Sequence, residues 1–183
     1  MSQKIIFLDR DGVINCGFDN GYVDRWEKFT FLPGSLGALR RLRKAGYKVI
    51  VVSNQAGVTK GVYSLRTLRE ITRRMRKAVE KKGGRLDAVY YCPHQMQDRC
   101  SCRKPKTGLF RRAKKRFGIR LKDSFFVGDS RVDVEAGKAI GCRTILVLSG
   151  RNKRRPRWDV KPDTVRKNLW EAVAWILKQK QPS

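Results

Sequence analysis

The chain has 183 residues, 40% of them apolar, enough for one domain to bury its own core without disulfide staples. No apolar stretch nears the roughly 18–20 residues that cross a bilayer, and Met-Ser-Gln-Lys runs straight into the first apolar segment, so a cytoplasmic monomer without signal peptide or membrane attachment is expected. Lys and Arg number 43 against 16 Asp and Glu; the formal charge of +27 favours phosphorylated small molecules and non-specific polyanion binding, while no aromatic-interleaved motif marks a dedicated nucleic-acid reader.

In chain order, Lys4–Asp9 reads as a buried parallel strand. Asp9-Arg10-Asp11-Gly12 follows directly. Side chains alternate along a strand, so Asp9 and Asp11 project the same way from its carboxyl end. Two carboxylates that close repel one another unless a cation or proton lies between them. With Mg²⁺ present, one can attack phosphorus while the other handles the proton of the leaving group. Alone, the motif reads as well as a solvated acidic turn.

A helix is predicted from Pro33-Gly34-Ser35 to Gly46, with Leu36, Leu39 and Leu42 apolar, then a strand over Tyr47–Ser53. The small hydroxyl of Ser53 and the backbone amides of Asn54-Gln55-Ala56-Gly57 suit phosphoryl oxygens, although a Ser-Asn turn is common. A second helix starts at about Ser64 and ends at Gly83-Gly84, with Leu65, Leu68, Ile71, Met75 and Val79 at helical spacing. Leu86–Tyr91 is the third strand.

Cys92-Pro93-His94 and Cys100-Ser101-Cys102 come next. Three thiols and the chain's only histidine within eleven residues suit a closed, four-coordinate Zn²⁺ site better than disulfides. With all four positions taken as ligands, the zinc is structural. The intervening Gln95 to Arg99 has little apolar content to hold its own shape, so the metal supplies the order. Cys16 and Cys142 read as ordinary thiols.

Arg103-Lys104-Pro105 then leads into a helix over Gly108–Phe117. A lysine there can neutralise charge on a transferring phosphoryl group, and an arginine can grip phosphate bidentately. Ser124–Gly128 is a strand ending at Asp129, which would complete an oxygen-ligand set for Mg²⁺ with Asp9 and Asp11. Asp133, a turn further on, is placed to orient the site, and a short helix runs from Val132 to Ile140. Arg143–Leu148 is the fifth strand. Gly150–Pro162 is basic, poor in apolar residues, and reads as a mobile surface loop. Asp163–Val165 is a short edge strand, and Asn168 with Glu171 forms a capping box for a last helix.

Alternating strands and helices predict an α/β fold, a Rossmann-like parallel sheet with helices on both faces, as one domain over 1–183. Ligands bind such sheets beyond the carboxyl ends of the strands, where Asp9, Ser53 and Asp129 all fall.

Asp-x-Asp-Gly, Ser-Asn-Gln, Arg-Lys-Pro and Gly-Asp-x-x-x-Asp in this order resemble the haloacid dehalogenase superfamily of phosphatases. The resemblance implies Asp9 as nucleophile forming an aspartyl-phosphate, and Asp11 as general acid then base. It implies Ser53 and Lys104 as phosphoryl-binding groups, and Mg²⁺ held by Asp9, the Asp11 carbonyl and Asp129. No insertion is long enough for a large cap, so a minimal cap is implied. With Cys-x-His…Cys-x-Cys-Arg-Lys-Pro added, the chain resembles the D-glycero-D-manno-heptose 1,7-bisphosphate 7-phosphatases and the related histidinol-phosphatase domains. In that family Asn20, Gly21, Tyr22, Val23, Ser53, Asn54, Gln55, Ala56 and Arg103 would contact the sugar phosphate. These families place a basic residue directly after the motif aspartate, where this chain has Ser130, followed by Arg131. The expectation is a Mg²⁺-dependent phosphatase acting on the 7-phosphate of the heptose bisphosphate. Histidinol phosphate and a nucleic-acid 3′-phosphate are alternative substrates, and a non-catalytic polyanion-binding module is the reading from another class.

Overall fold

The computed structural model describes residues 4–17, 21–150 and 152–179. Six strands form one sheet: β1 (Ile5–Leu8), β2 (Lys48–Asn54), β3 (Ala88–Cys92), β4 (Phe125–Gly128), β5 (Arg143–Val147) and β6 (Thr164–Arg166). Their spatial order is β3-β2-β1-β4-β5-β6 and every pairing is parallel. The central strands β1, β2 and β4 alternate between two apolar layers, which is why their runs are apolar. Ile6, Leu8, Val49, Val51, Phe125 and Val127 face one layer; Ile5, Phe7, Ile50, Val52 and Phe126 face the other.

The first layer is closed by α1 (Ser35–Lys44), α2 (Leu65–Lys81) and α5 (Leu169–Ile176), through Leu39, Leu42, Ile71, Met75, Val79, Val173 and Ile176. The second is closed by α3 (Gly108–Phe117) and α4 (Arg131–Ala139), through Leu109, Phe110, Ala113 and Ala136. In α3 the apolar stripe is bracketed by exposed Arg111, Arg112, Lys114, Lys115 and Arg116. No helix among the described residues is long and apolar enough to cross a membrane.

Each expected element is present, shifted by a residue or two at its ends. The largest shift is instructive. β3 begins at Ala88 rather than Leu86, because the Asp87 carboxylate takes the Val49 N–H at 2.9 Å and acts as a lead-in to the sheet. It runs on to Cys92 because β2 extends to Asn54, which pairs with Cys92 in register. The first thiol of the cysteine cluster is thereby part of the sheet. At α5, Asn168 Oδ1 accepts the Glu171 N–H at 3.0 Å, while the Glu171 carboxylate takes the N–H of Lys167 rather than that of the cap residue.

The described residues of the expected loop Gly150–Pro162 have no regular structure, but its start is not a detached surface segment. Asn152 Nδ2 donates to the Asp129 carbonyl at 2.8 Å, and Ser149 Oγ to the Gly12 carbonyl at 2.8 Å. Chain direction makes this contact: β5 ends beside β4, so the following residues cross the carboxyl edge of the sheet.

Candidate active site and metal centre

β1 lies at the middle of the sheet between β2 and β4, and the chain departs in opposite directions from it. This reversal opens a crevice at the strand ends. A cavity of 680 Å³ there is lined by Asp9, Asp11, Ser53, Lys104, Asp129 and Asp133, with Tyr22, Met96 and Arg103 farther out.

Lys104 is 3% exposed and lies at the centre of the charge. Its Nζ stands 3.0 Å from Asp9 Oδ1 and 2.6 Å from Asp133 Oδ1, and donates to the Val52 carbonyl at 2.8 Å. Burial works against its charge, and Asp133 and Asp9 more than reverse that, so it remains an ammonium. Burial likewise raises the Asp9 carboxyl to about 6, with Lys104 pulling it down and Asp133 and Asp11 pushing it up. The Lys104 backbone is fixed from β2: Asn54 Oδ1 accepts its N–H at 3.0 Å and Asn54 Nδ2 donates to its carbonyl at 3.1 Å. Asn54 therefore clamps the lysine loop, and the Lys104–Pro105 peptide within that loop is cis.

Asp133 combines two tasks. One carboxylate oxygen meets Lys104, while the other takes the N–H and hydroxyl of Ser130 at the start of α4. Ser130, not Asp129, is thus the helix cap, which leaves Asp129 at the end of β4 facing Asp9. Arg131 turns away into ion pairs with Glu135 and Asp159 at 2.6 and 2.8 Å, so it does not replace the basic residue expected directly after the motif aspartate.

Oxygen atoms of Asp9, Asp129 and Asp133 lie within 4.8 Å of one another. Carboxylate oxygens gathered this closely are the type of hard ligand that Mg²⁺ takes. The backbone has been shaped around Asp129. A Cβ on Gly12 would stand 2.4 Å from its Oδ2, and one on Gly150 would stand 2.0 Å from it. Gly12 also has φ +79°, which favours glycine. With Lys104 and Ser130 on its two oxygens, Asp133 fits the orienting role expected for it better than that of a ligand.

Four groups gather around the Asp11 carboxylate: Arg10, Gln55, Asn15 and, through Gln55, Tyr63. The amide of Gln55 is directed to this group, not outward. None of Arg10, Asn15 and Tyr63 is marked by the sequence motifs. The signal for Arg10 was strand alternation, which turns the residue between Asp9 and Asp11 into the protein, where a cation needs a partner.

Of the residues expected to contact substrate, Gly21, Tyr22, Val23, Ser53, Asn54, Gln55, Ala56, Arg103 and Lys104 all line this cavity. Asn20 lies outside the described residues. Val23 is 3% exposed and belongs to the core; Tyr22 meets Tyr63 edge to face at 6.1 Å, with Lys60 Nζ 5.8 Å from its ring centre. Gly57 lets these rings close in, since a Cβ there would be 2.3 Å from Tyr63.

The second cluster adjoins the cavity. Cys92, Cys100 and Cys102 are free thiols, with Sγ–Sγ separations of 3.6, 3.6 and 3.0 Å, and His94 Nδ1 lies 3.6 and 3.3 Å from Cys92 and Cys102. Zinc–sulfur bonds of about 2.3 Å give a tetrahedral edge of roughly 3.8 Å, so these four atoms fit a single tetrahedral ion. Burial pushes the Cys92 thiol well up. At Cys100 burial pushes the thiol up, but backbone N–H groups of Arg103 and Cys102 and the neighbouring thiols together bring it down to about 6. The cluster also positions a cation for the cavity: Arg103 donates to the His94 carbonyl at 3.1 Å.

The comparisons with known proteins agree with this geometry. Residues 101–172 match the family model for HAD-hydrolase-like proteins. D-glycero-beta-D-manno-heptose-1,7-bisphosphate 7-phosphatase of Pseudomonas aeruginosa is 40% identical over 154 residues, covering 84% of this chain and 86% of its own. The protein of the same name from Pseudomonas putida is 42% identical over 152 residues, covering 83% and 86%. Among solved structures, D,D-heptose 1,7-bisphosphate phosphatase from B. bronchiseptica, complexed with magnesium and phosphate, superposes with a TM-score of 0.89 at 33% identity, over 97% of this chain and 99% of that chain. The corresponding enzyme from Burkholderia thailandensis gives 0.74 at 33% identity, over 96% and 99%. With this identity over most of both chains and the carboxylates, lysine and thiols in place, the chain belongs to the haloacid-dehalogenase-like phosphatases, in the D-glycero-beta-D-manno-heptose-1,7-bisphosphate 7-phosphatase family.

Proposed function

We propose that this phosphatase removes the 7-phosphate of D-glycero-D-manno-heptose 1,7-bisphosphate through an aspartyl-phosphate on Asp9. The observation that carries the reading is Lys104 Nζ between Asp9 and Asp133 beside Asp129, with Asp11 on the same cavity wall. An Asp9 oxygen attacks phosphorus as the bond to the sugar oxygen breaks, and Asp11 hands its proton to the departing alkoxide. Water then attacks the aspartyl-phosphate, Asp11 takes the water proton, and Asp9 leaves as a carboxylate with release of inorganic phosphate. Lys104 and Ser53 hold the phosphoryl oxygens, and Arg103, with Tyr22 and the 21–23 segment, faces the rest of the sugar phosphate. Mg²⁺, held by Asp9, Asp129 and the Asp11 carbonyl, supplies electrostatic stabilisation of the phosphoryl charge.

Zn²⁺ is the ion proposed for Cys92, His94, Cys100 and Cys102, as a closed structural centre that keeps Arg103 in place. One catalytic unit spans 1–183, working as a monomer in the cytoplasm, where reduced thiols and phosphorylated sugars coexist. The basic helix faces attract polyanions without sequence preference; Arg111, Arg112, Lys114 and Lys115 of α3 have no acidic partner among the described residues.

Phosphate release with Mg²⁺ from heptose 1,7-bisphosphate, fructose 1,6-bisphosphate, histidinol phosphate and a 3′-phosphorylated oligonucleotide tests the substrate. Preference for the heptose by at least tenfold in kcat/KM is expected. Preference for the oligonucleotide, lost steeply between low and moderate salt, would instead make the +27 charge the functional signature.

A further inference from the structure

Arg10 is wholly buried, yet it does not line the cavity. A guanidinium removed from water needs an anionic partner, and here Nε and one terminal nitrogen carry the pairing while the other terminal nitrogen, Nη1, makes no hydrogen bond. Its partners are all on one side. Nε and one terminal nitrogen donate to Asp11 Oδ1 at 3.2 and 3.0 Å, and the same terminal nitrogen lies 3.0 Å from Asp11 Oδ2 and from Gln55 Oε1. The Tyr91 ring centre is 5.6 Å from the guanidinium carbon.

The other members close around the same carboxylate. Gln55 Nε2 donates to Asp11 Oδ2 at 2.6 Å, and Asn15 Nδ2 donates to Oδ1 at 2.9 Å. Gln55 is oriented in turn by the Tyr63 hydroxyl, which donates to its Oε1 at 2.6 Å. The Asp11 side chain retains 31% exposure, so one edge of the carboxyl stays open towards the cavity. An aspartate at such an edge, left alone, samples several staggered rotamers. Here three planar groups, Arg10 and Asn15 from the segment after β1 and Gln55 from the turn after β2, hold it in one.

We propose that Arg10, seconded by Gln55 and Tyr63, is a positioning residue for proton transfer: it aims the Asp11 carboxyl at the oxygen of the leaving group without touching substrate. The proposal rests on the phosphatase reading only in taking Asp11 as the proton donor, and is independent of which phosphate ester is the true substrate. It makes a demand that a merely structural arginine would not. Proton donation matters for a poor, alkoxide leaving group and hardly at all for a nitrophenolate, which departs unprotonated. Positioned general acids contribute about 10²–10⁴-fold, so a misaimed one should lose part of that on alkyl esters only.

The experiment measures kcat/KM for heptose 1,7-bisphosphate, with fructose 1,6-bisphosphate as a second alkyl ester, and for p-nitrophenyl phosphate. It is run on the Mg²⁺- and Zn²⁺-loaded full chain and on Arg10→Met, Arg10→Lys and Tyr63→Phe. Arg10→Met should lose about 10–100-fold on the alkyl esters and under about threefold on the aryl ester. Arg10→Lys should recover part of the loss, and Tyr63→Phe should show the same split at about three- to tenfold. Equal losses on both ester types, or no loss on either, would overturn the proposal. Should Arg10→Met fail to fold, Tyr63→Phe, which removes one oxygen, still decides it. Asp9→Asn serves as the control: turnover of both ester types in that variant would undo the phosphatase mechanism itself, a different result from an absent split.

Discussion

The aspartate cavity and the cysteine–histidine cluster adjoin, share Arg103 and Lys104 across consecutive residues, and are organised in opposite ways. In the cavity, charges from β1, β2, β4 and the 103–104 segment compensate one another: Lys104 against Asp9 and Asp133, Arg10 against Asp11. These groups are held by a sheet whose central strands are fully buried. In the cluster, four ligands from eleven consecutive residues meet with only Cys92 anchored in a strand and Met96 left 81% exposed. One site is organised by tertiary packing, the other by short-range spacing of four side chains that could hold a metal ion. The lesson is that a fold can set a lysine against the carboxylates it buries, whereas the polar loop at its rim depends on local spacing of its thiols and imidazole.

The comparison can be broken most severely at its catalytic side. Asp9→Asn should lower turnover by at least about 10⁴-fold while circular dichroism stays native; measurable turnover above that would remove Asp9 from the mechanism. Lys104→Met should cost about 3–5 kcal/mol in urea unfolding without Mg²⁺, because two carboxylates buried around it lose their counter-charge. Mg²⁺ should restore part of that loss, since it answers the same charge.

A pH experiment sharpens the same contrast. The Asp9 carboxyl is raised to about 6 in the folded protein, so the chain favours it protonated. Its contribution is stabilising below the unfolded value near 4 and is lost as pH rises through about 6. Without metal, Asp9→Asn should therefore be more stable than the native chain at pH 7.5, by about 2–3 kcal/mol at most, and the advantage should vanish near pH 4. Equal stabilities at pH 7.5 would refute the raised value.

On the metal side, Cys102→Ser should abolish stoichiometric zinc and lower kcat/KM by about tenfold by loosening Arg103, yet leave the far-ultraviolet signal of the sheet intact. Collapse of the whole fold would show the cluster to be part of the core. The smallest effect belongs to a region remote from both: Asn168→Ala should cost about 1 kcal/mol through loss of the α5 cap, with activity unchanged.

What was legible in the sequence was whatever depends on spacing along the chain. The apolar runs of β1, β2 and β4, the stripe Leu68, Ile71, Met75 and Val79 in α2, and the parallel α/β order follow from periodicity and burial on both faces. Four zinc-type ligands within eleven residues, and Asp9, Ser53, Lys104 and Asp129 next to strand or helix ends, needed no coordinates to be noticed. Tertiary structure alone decided how side chains far apart in sequence share their hydrogen bonds. It made Asn54 a clamp on Lys104 and Gln55 a brace on Asp11, turned Arg131 to Glu135 and Asp159, and brought Asn152 onto Asp129. Spacing is local and written in the order of residues. The direction of a buried amide or guanidinium is set by whichever partners the fold brings within about 3 Å, and those come from other strands.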